Sequence, residues 1–375
     1  GGGVGRYINE KRAYIRESGV DEHVLLIPGE KTQVIREGVC QRIEIASPLI
    51  NQTSRYRILW RLTKAEELLA AERPDIIESG DPYHLGWRVM ETGKALGIPV
   101  VGFYHSHFPE AYMRTALKYG GPWVRDAVLD YAKNYIARLY NQFDATIVPS
   151  RELVDLLKEW GVGNAHFLHL GVDTKTFQPD AGKLERRQKL GLDPNRFWLM
   201  YAGRLAGEKN TRTLLEAFKQ LEQRCPGEFG FLVIGDGALR PQLEAVKDQC
   251  HSFRWESYCR ESSDLAEWYR ASDLFVHPGI FETFGLVSLE SQASGCPVVG
   301  IRGSKMDANI MVGLDLWADQ NTPEALVEAI LRMKKENLSQ MGLEASRLVS
   351  DRYSWEVVFQ SLWDLYAKVI EEKKT

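Results

Sequence analysis

Short apolar segments alternate with segments of helical pattern along this chain, and the alternation limits the folds that it can adopt. Ile43–Pro48, Pro74–Glu78 and Ile98–Tyr104 are predicted strands, with helices between them. Asp144–Ser150 is predicted to be the last strand of this first set. Strands that alternate with helices favour a parallel sheet covered on both faces, so we expect an α/β protein.

A second set of strands follows a polar, proline-containing stretch, Asp173–Asn195, which we interpret as a linker between two domains. This set begins at Phe197–Tyr201 and includes Phe231–Ile234 and Leu274–His277. A chain of 375 residues can bury a large core and is more typical of two domains than of one.

Composition and charge argue against several functional classes. A net charge of −4 is not that of a nucleic-acid-binding protein, for which a basic surface is expected. Residues 1–172 carry 21 Lys and Arg against 21 Asp and Glu, so strong electrostatic attachment to a membrane is not expected. No apolar run approaches the roughly 20 residues that cross a bilayer, and no signal peptide is visible, so we expect a cytoplasmic protein that could also be peripheral at a membrane.

The five cysteines are odd in number and show no C-x-x-C spacing. They are interpreted as reduced thiols, and neither disulfides nor a cysteine metal site is expected. The sequence also contains no Asp-x-Asp pair, so no divalent metal and no other cofactor is predicted.

The segment Gly279–Gly295 combines two carboxylates, a glycine turn and an apolar helix face. Gly285–Ala293 is the predicted helix, and the unpaired amides at its start would suit an anionic group such as a phosphate. Glu282 and Glu290 would lie ~12 Å apart along a helix axis, which is too far for a glycosidase carboxylate pair. They could bind two distant parts of one extended ligand, although two glutamates near a helix are more often simply solvated.

Two further groups of residues are candidates for a site. Arg204 and Lys209 bracket a glycine turn and could neutralise a pyrophosphate without a metal; surface cations beside a turn are the alternative. His105 follows a predicted strand, where ligands bind in open α/β sheets, although it could also be an ordinary loop histidine. His105 and His107 have the spacing of a metal pair, but no nearby carboxylate completes a set.

Motifs in both halves of the chain resemble those of retaining glycosyltransferases of family GT4. They are G-R-L-x-x-E-K-N at Gly203–Asn210, I-G-D-G at Ile234–Gly237, and E-T-F-G-L-V-x-L-E followed by A-S-G-x-P-V-V at Glu282–Val299. The opening Gly1–Arg6 resembles the glycine loop of that family. The strand that precedes this loop in the family is missing from the sequence, so we expect that such a strand exists or is replaced.

The resemblance implies the GT-B fold, with two Rossmann-like domains facing each other across a cleft. An N-terminal acceptor domain would span residues 1–172, a nucleotide-sugar domain 173–355, and a helix over 356–375 would cross back to the first domain. The implied activity is metal-independent, retaining transfer of a hexose from a nucleotide-sugar, with a UDP-hexose such as UDP-glucose favoured over GDP-mannose. The acceptor would be a small molecule, a sugar or a lipid.

By the same resemblance, Arg204 and Lys209 would hold the diphosphate of the donor. Glu282 and His105 would orient the hexose hydroxyls, and Glu290 would bind the ribose. The remaining donor-binding positions would act mainly through backbone groups or through their lack of a side chain: Gly2, Gly3, Gly203, Phe284, Gly285 and Leu286.

Two departures from the family pattern leave the ligand open. Trp255–Tyr258 differs from the strand that normally contacts the nucleobase, and Gly303–Asp307 stands where the family has G-G-x-x-E. The alternatives are therefore another GT-B enzyme, such as a sugar-nucleotide epimerase or a phosphorylase, and a non-catalytic binder of sugar nucleotides.

Overall fold

The structure, a computed structural model, divides into two compact units. Unit 1 comprises the chain up to His169 and the segment that begins at Val358, and unit 2 comprises Leu170–Val357. The residues that the structure describes are 3–49, 57–104, 122–259, 261–280, 282 and 284–374.

The described residues of unit 1 form two sheets. The first pairs β1 and β3 in parallel and adds β2 antiparallel to β3. The second sheet is parallel throughout, in the order β4-β5-β6-β7. The bounds of these strands are β1 His23–Gly29, β2 Gln33–Glu37, β3 Cys40–Ala46, β4 Ile77–Ser79, β5 Val100–Phe103, β6 Ala145–Val148 and β7 Ala165–Phe167.

The helices of unit 1 come from both ends of the chain. They are α1 Gly3–Ser18, α2 Leu62–Glu72, α3 His84–Leu96, α4 Pro122–Tyr140, α5 Arg151–Glu159 and the last helix, Trp355–Lys374, which unit 1 holds from Val358 onward.

A partly buried carboxylate ties that last helix to unit 1. Glu78 in β4 forms an ion pair of 3.0 Å with Lys11 of α1 and accepts a hydrogen bond of 2.9 Å from the hydroxyl of Tyr7. The hydroxyl of Tyr366, in the last helix, also donates to Glu78. Because burial alone would raise the pKa of Glu78, its lowered pKa reflects the opposing effects of Lys11 and the two hydroxyls.

Unit 2 is built on one parallel sheet, in the order β10-β9-β8-β11-β12. Its strands are β8 Phe197–Ala202, β9 Phe229–Ile234, β10 Phe253–Glu256, β11 Leu274–His277 and β12 Val298–Gly300. Every residue of β9 and β11 is buried, as expected for a parallel sheet with both faces covered.

Helices cover both faces of this sheet. They are α6 Lys183–Lys189, α7 Thr211–Arg224, α8 Arg240–Lys247, α9 Ser262–Ala271, α10 Leu286–Ala293, α11 Pro323–Met333 and α12 Leu338–Tyr353. The last helix of the chain, Trp355–Lys374, which was described with unit 1, is numbered α13. Short 3-10 helices form at Gly207–Lys209, Lys305–Asn309 and Leu314–Leu316. Among the helices of the described residues, none combines the length and the apolar composition that crossing a bilayer requires.

The strand order of unit 2 reverses between β8 and β11. From β8 the chain proceeds outward through β9 and β10, whereas β11 and β12 extend the sheet on the other side. Such a reversal leaves a crevice beyond the carboxyl ends of the two central strands, where ligands bind in open α/β sheets.

The structure corrects three details of the sequence prediction. Unit 1 contains an antiparallel strand, β2, whereas only parallel pairing was predicted; its exposed residues, Gln33, Val34 and Arg36, give no buried face to recognise. The strand at Asp144–Ser150 is not the last one, because β7 follows it. The Asp173–Asn195 stretch contains a short helix, α6, in addition to loop.

Candidate functional site

The first wall of the crevice is the turn that follows β8. The amide of Gly203 donates to the carbonyl of Ile234 at 2.9 Å, and the amide of Leu205 donates to the carbonyl of Asp236 at 3.0 Å, so this turn is bound to the turn after β9. A Cβ on Gly235 would lie 1.9 Å from the Gly203 carbonyl oxygen. The glycine of the I-G-D-G motif is therefore required by the close approach of two backbones.

The side chain of Arg204 extends from this turn into solvent. It is 67% exposed and forms an ion pair of 3.2 Å with Glu208. The hydroxyl of Tyr201 donates to the carbonyl of Arg204 at 3.0 Å. Burial, together with the negative charges of Glu282 and Glu208, raises the pKa of Tyr201.

Asn210 connects the β8 side of the crevice to the β11 side. Its backbone has φ +55°, a left-handed conformation that asparagine tolerates better than most residues. Its side-chain amide donates to the carbonyl of Pro278 at 2.8 Å and to the side-chain oxygen of Asn321 at 2.7 Å. These bonds hold Lys209, the preceding residue, beside the loop that follows β11.

Lys209 and Glu282 meet across the crevice as an ion pair between Nζ and Oε1. The side chain of Lys209 is 33% exposed and that of Glu282 is 15% exposed. The structure thus brings together two residues that lie far apart in sequence and to which the family resemblance assigns adjoining parts of one donor, the diphosphate and the hexose.

Gly285 and the start of α10 lie next along the loop from Glu282. Gly285 has φ +74°, and its carbonyl accepts hydrogen bonds from the amides of Ser288 and Leu289. Within the part of the chain that the structure describes, the amides of Phe284, Gly285 and Leu286 have no acceptor. They form the positive end of the helix, as predicted from the sequence.

The Gly303–Asp307 segment packs against the start of α10. The side chain of Asn309 donates to the carbonyl of Phe284 at 2.7 Å, and the hydroxyl of Ser288 contacts Met306 Sδ at 3.1 Å. Asp307 accepts hydrogen bonds from the amide of Gly303 and the hydroxyl of Ser304. In this chain the segment that departs from G-G-x-x-E therefore supports the helix start.

Glu290 lies inside unit 2. It has 1% of its surface exposed and accepts a hydrogen bond of 3.4 Å from the hydroxyl of Tyr269. Its contact with a ribose stays a prediction.

His277, at the end of β11, was not selected from the sequence. It is 4% exposed, and among the described residues its Nδ1 has no hydrogen-bond partner. Burial lowers the pKa of the imidazole to about 4, against the opposing effect of the Glu282 carboxylate, so the ring is neutral near pH 7. The rule that ligands bind beyond the carboxyl ends of strands, which selected His105, also applies to His277.

Several predicted residues fall elsewhere. His105 and Gly2 lie outside the described residues, and Gly3 is the first residue of α1. Within the described ranges, no three His, Cys, Asp or Glu side chains come close enough to hold a metal ion.

The end of β10 corresponds to the strand that contacts the nucleobase in the resembling family. The side chain of Trp255 holds this strand end in place. Its Nε1 donates to the carbonyl of Gly235 at 2.8 Å, and the Arg240 guanidinium lies 4.6 Å from its ring centroid. Tyr258, beyond the strand, is 74% exposed.

Comparison with known protein families finds two matches that together span most of the chain. The profile of Glycosyltransferase Family 4 matches residues 1–176, and that of Glycosyl transferases group 1 matches residues 196–336.

Curated relatives include a GDP-mannose-dependent alpha-mannosyltransferase of Corynebacterium glutamicum, 28% identical over 82% of this chain and 71% of the relative. A GDP-mannose-dependent alpha-(1-6)-phosphatidylinositol dimannoside mannosyltransferase of Mycobacterium tuberculosis is 29% identical over 82% of this chain and 78% of the relative. Sulfoquinovosyl transferase SQD2 of Arabidopsis thaliana is 30% identical over 62% of this chain, and the match spans only 44% of that relative.

Among solved structures, sucrose-phosphate synthase from Thermosynechococcus elongatus superimposes with a TM-score of 0.75. The match covers 96% of this chain and 94% of that one. The sequences are 19% identical, so the match shows a shared fold and not a shared activity.

Proposed function

The chain belongs to glycosyltransferase family 4 and has the GT-B fold, and we propose that it transfers a hexose from a nucleotide-sugar to a hydroxyl acceptor with retention of anomeric configuration. The observation that carries this proposal is the convergence, in the crevice of unit 2, of Lys209, Glu282 and the free amides at the start of α10.

These groups suit a nucleotide-sugar because they supply opposite chemistries side by side. The Lys209 ammonium and the amides of Phe284, Gly285 and Leu286 favour an anionic diphosphate. The Glu282 carboxylate can only accept hydrogen bonds when ionised, which suits sugar hydroxyls. A ligand that joins a diphosphate directly to a sugar satisfies both.

In the proposed reaction the bond between the anomeric carbon and the diphosphate oxygen breaks as the acceptor oxygen bonds to the same face of that carbon. The acceptor proton passes to the departing phosphate oxygen, and no covalent enzyme intermediate forms. Lys209, the α10 amides and Arg204 stabilise the negative charge that develops on the leaving group, and stabilisation of that developing charge lowers the barrier itself. No metal ion is required in this scheme.

Two donors are candidates. A UDP-hexose is favoured by its frequency in the family, whereas the names of the C. glutamicum and M. tuberculosis relatives favour GDP-mannose. Each of these two relatives aligns with 82% of this chain. We therefore test GDP-mannose first and UDP-glucose second.

The acceptor is proposed to bind unit 1. An open surface depression there is lined by Ser47, Trp60 and Arg61, among others, and Trp60 is 74% exposed. An exposed tryptophan beside an arginine suits a sugar ring or the headgroup of a lipid. The M. tuberculosis relative, named for a phosphatidylinositol dimannoside, favours a lipid acceptor.

The experiment is a thermal-shift screen with GDP-mannose, UDP-glucose and ADP-glucose, followed by NMR of the sugar released from the donor that binds. A donor at ~100 times its dissociation constant should stabilise the protein by about 2.7 kcal/mol. The first sugar product should have the anomeric configuration of the donor, and added EDTA should not change the rate.

Each alternative predicts a different result. Turnover that depends on inorganic phosphate would indicate a phosphorylase, and an epimerised sugar nucleotide would indicate an epimerase. Binding without turnover that survives Glu282→Ala and Lys209→Ala unchanged would indicate a non-catalytic binder. If none of the three sugar nucleotides binds, the proposal fails.

A further inference from the structure

We propose that Asn321, together with Asn210, is a positioning residue for the transfer reaction, because the two side-chain amides hold the turn that carries Lys209. Asn321 lies outside the motifs that resemble the family, in the loop immediately before α11. The inference rests on the proposed function and concerns how the crevice of unit 2 keeps its cation in place.

Lys209 is the last residue of a 3-10 turn that is only three residues long, Gly207–Lys209. Its amide donates to the carbonyl of Ala206 at 3.1 Å, and the amide of Asn210 donates to the carbonyl of Gly207 at 3.0 Å. Hydrogen bonds in 3-10 turns have poorer geometry than those in α-helices, so such a turn is weakly held by its own backbone. The direction in which the Lys209 side chain leaves the turn therefore depends on what holds Asn210.

The side chain of Asn210 is held on three sides. Its Nδ2 donates to the carbonyl of Pro278 at 2.8 Å and to Oδ1 of Asn321 at 2.7 Å, and its Oδ1 accepts from the hydroxyl of Thr213 at 2.9 Å. A side-chain amide has two donor hydrogens, so both are used. The turn that carries Lys209 is thus attached to the loop after β11 and to the loop before α11.

The two contacts of the Asn210 amide have a fixed polarity. A backbone carbonyl can only accept a hydrogen bond, so the group of Asn210 that faces Pro278 is its NH2 group. The same NH2 group faces Asn321, which must therefore present an acceptor. Asn321 needs only its oxygen for this link, whereas Asn210 needs both of its N–H donors. Aspartate, which has nearly the same shape, should therefore be tolerated at position 321 and harmful at position 210.

The position of Lys209 matters because the charge that it stabilises develops on the leaving diphosphate. A cation that is held in place before the reaction stabilises this charge without reorganisation during the reaction. A displacement of about 1 Å, caused by a change remote from the reacting atoms, can lower a rate on the order of 10²-fold. Loss of the link from Asn321 through Asn210 should therefore appear in kcat.

The test compares alanine and aspartate at position 321 of the full chain. The assay is steady-state turnover of GDP-mannose, or of UDP-glucose or ADP-glucose if the thermal-shift screen selects that donor. Asn321→Ala removes the acceptor, and we expect kcat to fall about fivefold, the loss typical of one hydrogen bond. Asn321→Asp keeps an acceptor and adds a charge that strengthens the bond, so kcat should stay within about twofold of that of the unsubstituted protein.

At position 210 the same replacement should lower kcat. Asn210→Asp places a carboxylate oxygen against the Pro278 carbonyl, and neither atom can donate a hydrogen bond. We expect kcat to fall about tenfold or more, because the contact is lost and becomes repulsive. Should this variant not fold, Asn210→Gly, which tolerates φ +55° and removes the side chain, should also lower kcat about tenfold. An unchanged kcat in either folded variant would overturn the inference.

Gln220→Ala is the matched control. The side-chain amide of Gln220, farther along α7, donates to Glu324 of α11 at 2.6 Å, so this bond also joins the α7 side of the unit to the α11 side. It does not involve the turn of Lys209, so kcat should be unchanged. A fall equal to that of Asn321→Ala would show that any contact between these elements matters, and would overturn the inference.

A double-mutant cycle tests whether Asn321 acts through Lys209. In the Lys209→Gln background, Asn321→Ala should lower kcat no further, because the cation that the link positions is absent. If the two losses are additive, Asn321 has only a general structural role, and the inference is overturned.

The outcomes also separate this inference from the proposed function. If the unsubstituted protein turns over a sugar nucleotide while Asn321→Asp is impaired as much as Asn321→Ala, the inference is overturned and the proposed function stands. If the unsubstituted protein turns over none of GDP-mannose, UDP-glucose and ADP-glucose, both fail.

Discussion

Gly285 is the residue whose replacement best tests the geometry of the helix start. It combines φ +74° with a close neighbour: a Cβ there would lie 2.2 Å from Met306 Sδ and 2.3 Å from Met306 Cγ. Met306 is fully buried, so it cannot move away into solvent. Gly285→Ala should therefore destabilise unit 2 through backbone strain and through overpacking.

The two contributions can be estimated separately. A left-handed conformation costs a non-glycine residue roughly 1–2 kcal/mol, partly offset by about 0.4–1 kcal/mol because alanine makes the unfolded chain less flexible. Displacing a buried side chain adds typically ~1–3 kcal/mol. The free energy of unfolding should fall by about 1–4.5 kcal/mol in total.

Gly191→Ala separates strain from overpacking. Gly191 also lies in unit 2 and has φ +70°, but a Cβ there meets nothing within 4 Å. Urea denaturation followed by tryptophan fluorescence should show a loss of about 1 kcal/mol for this control. If Gly285→Ala and Gly191→Ala cost the same, Met306 does not press on the helix start, and the described packing of the Gly303–Asp307 segment is refuted.

Two further predictions concern the crevice. Lys209→Gln should lower kcat on the order of 10²-fold, because it removes a cation that stabilises the leaving diphosphate. Lys219→Gln, on α7 and paired with Glu216, is the control and should leave kcat unchanged. Equal kcat values for the two variants in steady-state assays would contradict the role of Lys209 in stabilising the leaving group. His277 should make unit 2 less stable in acid. The pKa of its imidazole is lowered from 6.5 in the unfolded chain to about 4 in the folded protein. Between these pH values the unfolded chain binds a proton that the folded chain does not, so the stability falls as the pH drops from 6.5 to 4. Urea titrations between pH 7 and pH 4 should show a shallower loss for His277→Leu than for the unsubstituted protein, and parallel curves would argue against a neutral buried ring.

The sheet of unit 2 was predictable because its strands are buried on both faces. Phe197–Tyr201, Phe231–Ile234 and Leu274–His277 were identified from continuous apolar runs, and the structure places β8, β9 and β11 there. The first turn of α10 was also predicted to within one residue, since a glycine turn precedes its apolar face. Such signals are local, so the sequence contains them directly.

The relations among site residues were less predictable because they depend on tertiary contacts. Nothing in the spacing of Lys209 and Glu282 indicates that they pair with each other, since Asn210 and Pro278 determine that approach. The burial of Glu290 likewise depends on how α10 packs, which its position in the sequence does not show. β2 was missed because an exposed strand lacks the apolar run that marks the others.

The anchoring of α13 on Glu78 bears on the order in which the protein folds during synthesis. Unit 2 is one uninterrupted stretch, Leu170–Val357, whereas unit 1 needs the residues from Val358 onward, including Tyr366, to complete the contacts of Glu78. Domains generally fold as units as they emerge from the ribosome. Unit 2 should therefore be complete while unit 1, most of which precedes it in the sequence, still waits for its final helix.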